Sequence, residues 1–248
     1  MNIIVCVKRV PDSESRVAAA GDGISVDTRG VKFVLNPYDE NAVEAALRLK
    51  EANQGTVTVM TLGGEESKET LRTALAMGAD QAVLLKGKPS IDGLGTAEKL
   101  AEGIRAREYD LVLFGKQAID DDNLQVPAMV AELLGLPCAT VVVELQVEDG
   151  KVTAKREVEG GDETYEFELP AVVAAQKGLN EPRYASLKGI MMAKKKPLEE
   201  IDVGDAESRL ELIEVMNPAE RTAGEIVGEG PEAVPLLIKK LREEAKVL

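Results

Sequence analysis

The stretch YDLVLFGKQAIDDDNLQVPAMVAELLGLP, from Tyr109 to Pro137, decides the fold. It has a short apolar run, Leu111–Phe114, a polar loop from Gly115 to Asn123, and an apolar-periodic segment that stops at Gly135. The first run is too short for a buried helix and predicts a buried parallel strand, whereas the three- and four-residue spacing after the loop predicts an amphipathic helix. Open α/β sheets hold nucleotide phosphates at strand–loop–helix units of this kind.

The loop alone is a weak signal, because it contains neither a Walker A motif nor GxGxxG. An ordinary polar strand-to-helix connection is the alternative at this point. Asp122 or Asn123 is expected to cap the start of the helix, and Gly135 supplies the residue tolerant of positive φ that a helix end favours.

The chain before this stretch alternates between strand-like and helix-like segments. Predicted strands cover Asn2–Val7, Val31–Leu35, Thr56–Leu62 and Ala82–Leu85, and predicted helices start at Pro37, follow Gly63-Gly64, and cover Gly93–Arg107. This order predicts an α/β fold with a doubly wound, mostly parallel sheet.

The pattern changes after Pro137, where the strand-like runs are Ala139–Val147, Lys151–Val158, Thr164–Leu169 and Ala171–Ala175. The turn Glu148-Asp149-Gly150 predicts an antiparallel ribbon. A basic, Met-bearing segment, residues 178–197, is either adaptable contact surface for partners or a cover for a sheet edge. An extended arm over Glu199–Gly230 precedes a helix over Pro231–Val247, which either packs on another chain or folds back.

Composition narrows the function. Hydrophobic residues make up 44% of 248 residues, enough for a sizeable core, and the net charge of -14 argues against a nucleic-acid partner. No apolar run is long enough to insert in a membrane, and without a signal-peptide pattern a cytoplasmic location is expected. The chain has no histidine, which removes Ser-His-Asp and Cys-His catalysis, and Cys6 and Cys138 lie in apolar runs that indicate neither a disulfide nor a metal site.

A resemblance extends along nearly the whole chain. Its motifs, in order, are VKRVPD (7–12), LNPYDENAVEAALRLKE (35–51), ETLRTALAMGAD (69–80), GKQAIDDDNLQV (115–126), REVEGGDET (156–164), LPAVV (169–173), LNEPRYASLKGIMMAKKKP (179–197) and ERTAG (220–224). The chain resembles the β subunit of electron transfer flavoprotein, the small subunit of a heterodimer that shuttles electrons.

The resemblance implies a sheet of the adenine-nucleotide-binding kind that holds a structural AMP, while the redox FAD is bound mainly by the α subunit and enclosed on one side by this chain. It implies an electron carrier with no catalytic residue of its own. By position, the implied cofactor-binding residues are Cys6, Asn36, Pro37, Tyr38, Asp39, Leu62, Gly115, Lys116, Gln117, Ala118, Ile119, Asp120, Asp121, Asp122, Asn123, Leu124, Gln125 and Val126.

Three consecutive carboxylates, Asp120 to Asp122, are unfavourable beside a phosphate. The phosphate is therefore expected on backbone N–H groups of the loop and of the helix start near Asn123 to Val126, with the carboxylates capping the helix or accepting ribose hydroxyls. Tyr38 offers an aromatic ring at one flavin-side position, whereas Ser13 stands where some members have an aromatic residue.

The resemblance also implies a docking loop, matching Tyr184 to Lys195, for flavoprotein dehydrogenases such as those of acyl-CoA in fatty acid oxidation. Its implied contact residues are Tyr184, Leu187, Ile190 and Met191, with Leu187 as the anchor. The expected organisation is a nucleotide-binding domain over residues 1–193 and a C-terminal arm and helix over 194–248 that pack on the α subunit.

Three alternatives stay open. One is a bifurcating-type subunit with a second FAD where others hold AMP, although the run DDDN is more similar to the AMP-holding forms. Another is a stand-alone adenine-nucleotide-binding regulatory module. The third, a hydrolase or ligase acting on an adenylate, is disfavoured because the chain lacks histidine and a phosphate loop with Lys-Ser/Thr.

Overall fold

A computed structural model describes residues 1–219 and 223–248, so part of the motif at 220–224 lies outside the described residues. The chain divides into two units, Met1–Val215 and Met216–Leu248. The strands of the first unit are β1 (Asn2–Cys6), β2 (Arg9–Pro11), β3 (Ala18–Ala19), β4 (Val26–Asp27), β5 (Phe33–Leu35), β6 (Thr56–Gly63), β7 (Gln81–Lys86), β8 (Leu111–Gly115), β9 (Cys138–Glu148), β10 (Lys151–Val158), β11 (Gly161–Glu168), β12 (Ala171–Ala175) and β13 (Leu198–Asp202).

The helices of the first unit are α1 (Pro37–Asn53), α2 (Ser67–Met77), α3 (Gly93–Arg105), α4 (Val126–Leu134) and α5 (Leu187–Ala193). In the second unit a 3-10 turn, Pro231–Ala233, leads into α6 (Val234–Glu243). The predicted last helix therefore ends at Glu243, before Val247. Among the described residues, no helix combines the length and apolar character that crossing a bilayer requires.

A nine-stranded sheet organises the first unit in the order β11-β10-β9-β12-β8-β1-β6-β7-β13. All neighbours from β9 through β12 to β13 are parallel, and β9, β10 and β11 form the antiparallel ribbon. Asp149 and Gly150, both at positive φ, make the ribbon's turn. The predicted fold class, a doubly wound and mostly parallel sheet with an antiparallel ribbon, is confirmed.

Each face of the sheet carries its own core, because side chains along a strand alternate between faces. Ile3 and Val5 of β1 join the cluster that includes α1 and α2, whereas Ile4 and Cys6 join the cluster that includes α3 and α4. This double burial explains why the parallel strands are apolar almost throughout.

Two sequence predictions need correction. Val31–Leu35 was expected to be a strand of the main sheet, but only β5 forms there, and it pairs antiparallel with β2 outside that sheet. The predicted extended arm starts instead with β13, which pairs in parallel with β7 at the sheet edge.

Candidate functional site

A cleft lies where β1, β6, β7 and β8 end, on the carboxyl-terminal rim of the parallel sheet. Its cavity volume is about 120 Å³, and its mouth is open to solvent. Its walls come from the loop after β8, the starts of α3 and α4, and the ends of β1 and β6. We call this space the rim cleft.

Asp39, in the first turn of α1, joins the ends of two neighbouring strands. Its carboxylate accepts hydrogen bonds from the N–H of Lys8 at 2.7 Å and from the N–H of Gly115 at 3.1 Å. Burial raises the pKa of Asp39 to about 7, although these hydrogen bonds, one from Asn36 and the charge of Lys8 lower it. The carboxylate thus fixes the cleft floor and stays partly protonated near neutral pH.

Gly115 is required by close packing within the protein. A Cβ at this position would lie 2.4 Å from the Oδ1 of Asp39 and 2.6 Å from the carbonyl carbon of Tyr38. The start of α1 therefore presses directly on the end of β8. The absence of a side chain at Gly115 makes room for the start of α1.

The loop from Lys116 to Gln125 is anchored by Asn36. The buried Asn36 side chain donates to the carbonyl of Gln117 at 2.8 Å and accepts from the N–H of Ile119 at 3.2 Å. Asp122 and Leu124 have φ of 49° and 55°, a region that residues other than glycine rarely occupy. Strained backbone of this kind is concentrated at functional sites, because the surrounding structure must hold it in place.

Lys8, at the end of β1, neutralises part of the acidic run. Its Nζ lies 2.8 Å from the Oδ1 of Asp120 and 3.0 Å from the Oδ2 of Asp121, and these partners raise its pKa although burial alone would lower it. The third carboxylate, that of Asp122, accepts from the side chain of Gln117. The repulsion among the three adjacent carboxylates is thus reduced, but not removed, within the chain.

The start of α4 lies at the wall of the cleft. The helix begins at Val126 with Gln125 at the N-cap position, and no side chain caps it. The predicted cap by Asp122 or Asn123 is therefore wrong: Asn123 accepts from the N–H of Gln125 at 3.3 Å, and Asp122 lies one residue further away along the chain. The helix end was predicted well, since Gly135 has φ 69° in the left-handed region.

The structure brings most of the predicted cofactor residues to one cleft. Those that line it are Cys6, Asp39, Leu62, Gly115, Lys116, Gln117, Ala118, Asp121, Asn123, Leu124, Gln125 and Val126. Those that lie beside it are Asn36, Pro37, Tyr38, Ile119, Asp120 and Asp122. Asn36 and Asp120 act on the cleft through the contacts given above, and the Tyr38 ring receives the Lys116 ammonium 4.9 Å from its centroid.

Sequence reasoning missed one wall of the cleft. The segment Pro89–Gly93 and Thr96, after β7, line it together with Val7, Lys8, Thr61, Leu100, Phe114 and Pro127. Asp92 caps α3 by accepting from the N–H of Gly95 at 2.7 Å. The position of this segment after β7 could have indicated this wall, because the parallel strands of the sheet end on the same rim.

These residues fit an adenine mononucleotide. Backbone N–H groups at an uncapped helix start suit a phosphate, and the apolar walls made by Leu62, Leu100 and Phe114 suit a planar base. The described residues contain no group of three or more carboxylate or cysteine side chains arranged to hold a metal ion. Burial raises the pKa of both cysteine thiols, so neither is activated as a nucleophile.

The docking segment, residues 179–197, is firmly attached at its start. Asn41 and Asn180 exchange hydrogen bonds of 2.9 Å in both directions. Arg183 pairs with the buried Glu44 at 2.7 Å and with Glu51 at 2.6 Å. These contacts fix the entry to the segment on α1.

The rest of the docking segment packs on α2. A Cβ at Gly189 would lie 2.4 Å from the carbonyl oxygen of Ala76, and Lys196 donates to the carbonyls of Leu75 and Ala79 at the end of α2. Tyr184 and Leu187 remain 99% and 83% exposed. Met191 and, to a lesser degree, Ile190 are also exposed. A rigid base therefore presents apolar side chains to solvent.

Fold and rim cleft together define a doubly wound α/β protein with an open cleft at the carboxyl ends of its strands. Residues 23–206 match the family model described as "Electron transfer flavoprotein domain". Proteins named electron transfer flavoprotein subunit beta are similar over 100% of this chain: that of Bacillus subtilis is 43% identical over 100% of its length, that of Bradyrhizobium diazoefficiens 44% over 100%, and the human protein 41% over 99%.

The chain belongs to the electron transfer flavoprotein β-subunit family, which confirms the resemblance found in the sequence. Its role is therefore in electron transfer. Membership also implies a heterodimer with an α subunit.

Proposed function

We propose that this chain holds AMP in the rim cleft, with the phosphate on the N–H groups that the first turn of α4 offers, Pro127 having none. The uncapped start of α4, opening into a cleft with apolar walls, is the observation that carries the proposal. Lys8 supports it, because it removes part of the negative charge of Asp120 and Asp121 beside the phosphate. The bound nucleotide has a structural role, joining the loop after β8 to the starts of α3 and α4.

The chain also helps to enclose the FAD of the α subunit. Tyr38 stands next to the rim cleft with Lys116 over its ring, a position from which an aromatic side chain can reach a partner's cofactor. The second unit contributes α6, whose Val234, Leu236, Leu237 and Ile238 remain partly exposed. An apolar helix face of this kind suits packing against the α subunit.

The docking segment binds flavoprotein dehydrogenases, such as those that oxidise acyl-CoA. Its apolar side chains are surrounded by Arg183, Lys188 and Lys194 to Lys196, on a protein whose net charge is -14. Apolar anchors within a charged rim are the usual composition of a binding hot spot. Electrons then pass between flavins held by the two partners.

Replacing Gln125 with alanine is expected to weaken AMP retention moderately. Gln125 precedes α4 and its side chain lines the cleft, so truncation removes one polar contact and leaves the backbone intact. One hydrogen bond is worth about 0.5–1.5 kcal/mol, or about 3- to 10-fold in affinity. The measurement is the AMP retained by the purified heterodimer after ultrafiltration, quantified by HPLC.

The matched control is Gln146→Ala, which removes a glutamine side chain from β9, outside the cleft. It should retain as much AMP as the wild type. Equal retention in the Gln125 and Gln146 variants would contradict the proposed position of the nucleotide. Recovery of FAD in place of AMP from the cleft would favour the bifurcating-type alternative.

A further inference from the structure

The charge of the rim cleft is unusual for a site that binds nucleotides with several phosphates. Among its described lining residues the cations are Lys8 and Lys116, and the acids are Asp39, Asp92 and Asp121. Lys8 is shared between two carboxylates, and Lys116 lies over the ring of Tyr38. No uncommitted cation in this lining set remains for a diphosphate or triphosphate chain, which proteins usually bind with Lys, Arg or a metal ion.

The cluster formed by Lys8, Asp120 and Asp121 adds little to stability. The side chains of Lys8, Asp120 and Asp121 are 39%, 26% and 44% exposed, and exposed ion pairs contribute little. The cluster nevertheless bridges the end of β1 and the loop after β8, which are far apart in sequence. Asp121 lines the cleft, whereas Asp120 does not. The cluster therefore places one carboxylate of the pair at the wall of the cleft.

The loop holds that carboxylate in place. Asn36 anchors the loop at Gln117 and Ile119, and the N–H of Asp122 donates to the carbonyl of Ala118 at 2.9 Å. Along the chain, Asp121 follows these anchors and directly precedes Asp122, which has a positive φ. The backbone anchors of the loop and the ion pair with Lys8 thus both help to position Asp121.

We propose that Asp121 is a specificity-determining residue of the rim cleft: its carboxylate, positioned by Lys8, admits a nucleotide with one phosphate and disfavours one with two or more. This inference rests on the proposed binding of AMP in the same cleft. A single phosphate is held by backbone N–H groups at the start of α4. A second phosphate would add negative charge to a space that already contains the Asp121 carboxylate, and like charges at a few ångström repel.

The test compares two isosteric variants of the same loop, Asp121→Asn and Asp120→Asn, in the heterodimer with its α subunit. Each variant removes one of the two carboxylate charges that pair with Lys8, but only Asp121 lines the cleft. Each heterodimer is dialysed against equimolar AMP and ADP until the bound ratio is constant, then denatured, and the released nucleotides are quantified by HPLC. The double variant provides a further measurement if one single variant folds poorly.

For Asp121→Asn the bound ADP:AMP ratio should rise by about 10-fold, and for Asp120→Asn by less than about 3-fold. In the double variant the bound ADP:AMP ratio should rise at least as much as in Asp121→Asn. An unchanged ratio in Asp121→Asn, equal changes in the two single variants, or loss of AMP from Asp121→Asn would overturn the inference. Failure of the wild type to bind AMP would instead overturn the proposed function, so the two failures are distinguishable.

Discussion

Replacing Gly115 with valine is expected to remove AMP from the heterodimer and to lower its melting temperature by about 2–12 °C. The added Cβ would lie 2.4 Å from the Oδ1 of Asp39 and 2.7 Å from the N–H nitrogen of the same residue. Overpacking commonly costs about 1–3 kcal/mol and more against backbone, and about 1 kcal/mol shifts the melting temperature of a protein this size by about 2–4 °C. Thermal unfolding and HPLC of released nucleotide measure the two effects.

The matched control is Gly161→Val at the start of β11, where an added Cβ meets no atom within 4 Å. It should leave melting temperature and AMP content close to the wild type. A Gly115→Val heterodimer with wild-type melting temperature and full AMP would show that α1 does not press on β8 as the structure has it. A lower melting temperature with full AMP retention would show that the packing at Gly115 supports stability but not AMP binding.

Replacing Leu187 with alanine is expected to slow electron delivery from a partner dehydrogenase by about 30-fold at sub-saturating concentration, without loss of flavin or AMP. Truncating an anchor residue at an interface commonly costs about 2 kcal/mol or more, which corresponds to about that factor. Leu187 is 83% exposed and makes no core contact that its truncation would remove. Stopped-flow measurement of flavin reduction by a dehydrogenase gives the rate.

Ile24→Ala is the matched control, because Ile24 is 55% exposed and lies outside both the docking segment and the C-terminal arm. Its rate should equal that of the wild type. Unchanged kinetics in Leu187→Ala would remove the proposed role of the segment. Equal slowing in both variants would indicate a general effect of losing exposed apolar surface.

Local sequence patterns predicted the elements well but not the places that strands take in the sheet. The alternation of apolar runs and helical periodicity gave the order of strands and helices up to Pro137. It could not show that β12 inserts between β9 and β8, because strand order depends on long connections. The edge strand β13 was missed, since its sequence LEEID is charged and half exposed.

The rim cleft was predicted only in part, because local sequence patterns do not show which distant residues meet. Residues at the ends of β1, β6 and β8 could be named, because parallel strands end on one rim. The pairing of Lys8 with Asp120 and Asp121 joins residues more than a hundred positions apart and leaves no local trace. The predicted cap of α4 was wrong. With Gln125 at the N-cap position and Pro127 in the first turn, the helix starts later than the polar residues suggested.

The most direct test of the central claim is the nucleotide content of the heterodimer purified with its α subunit, measured by HPLC after acid denaturation. The account predicts about one AMP and about one FAD per heterodimer. Two FAD and no AMP would contradict the proposed occupant of the rim cleft. FAD with no second nucleotide would contradict the rim cleft as a nucleotide site altogether.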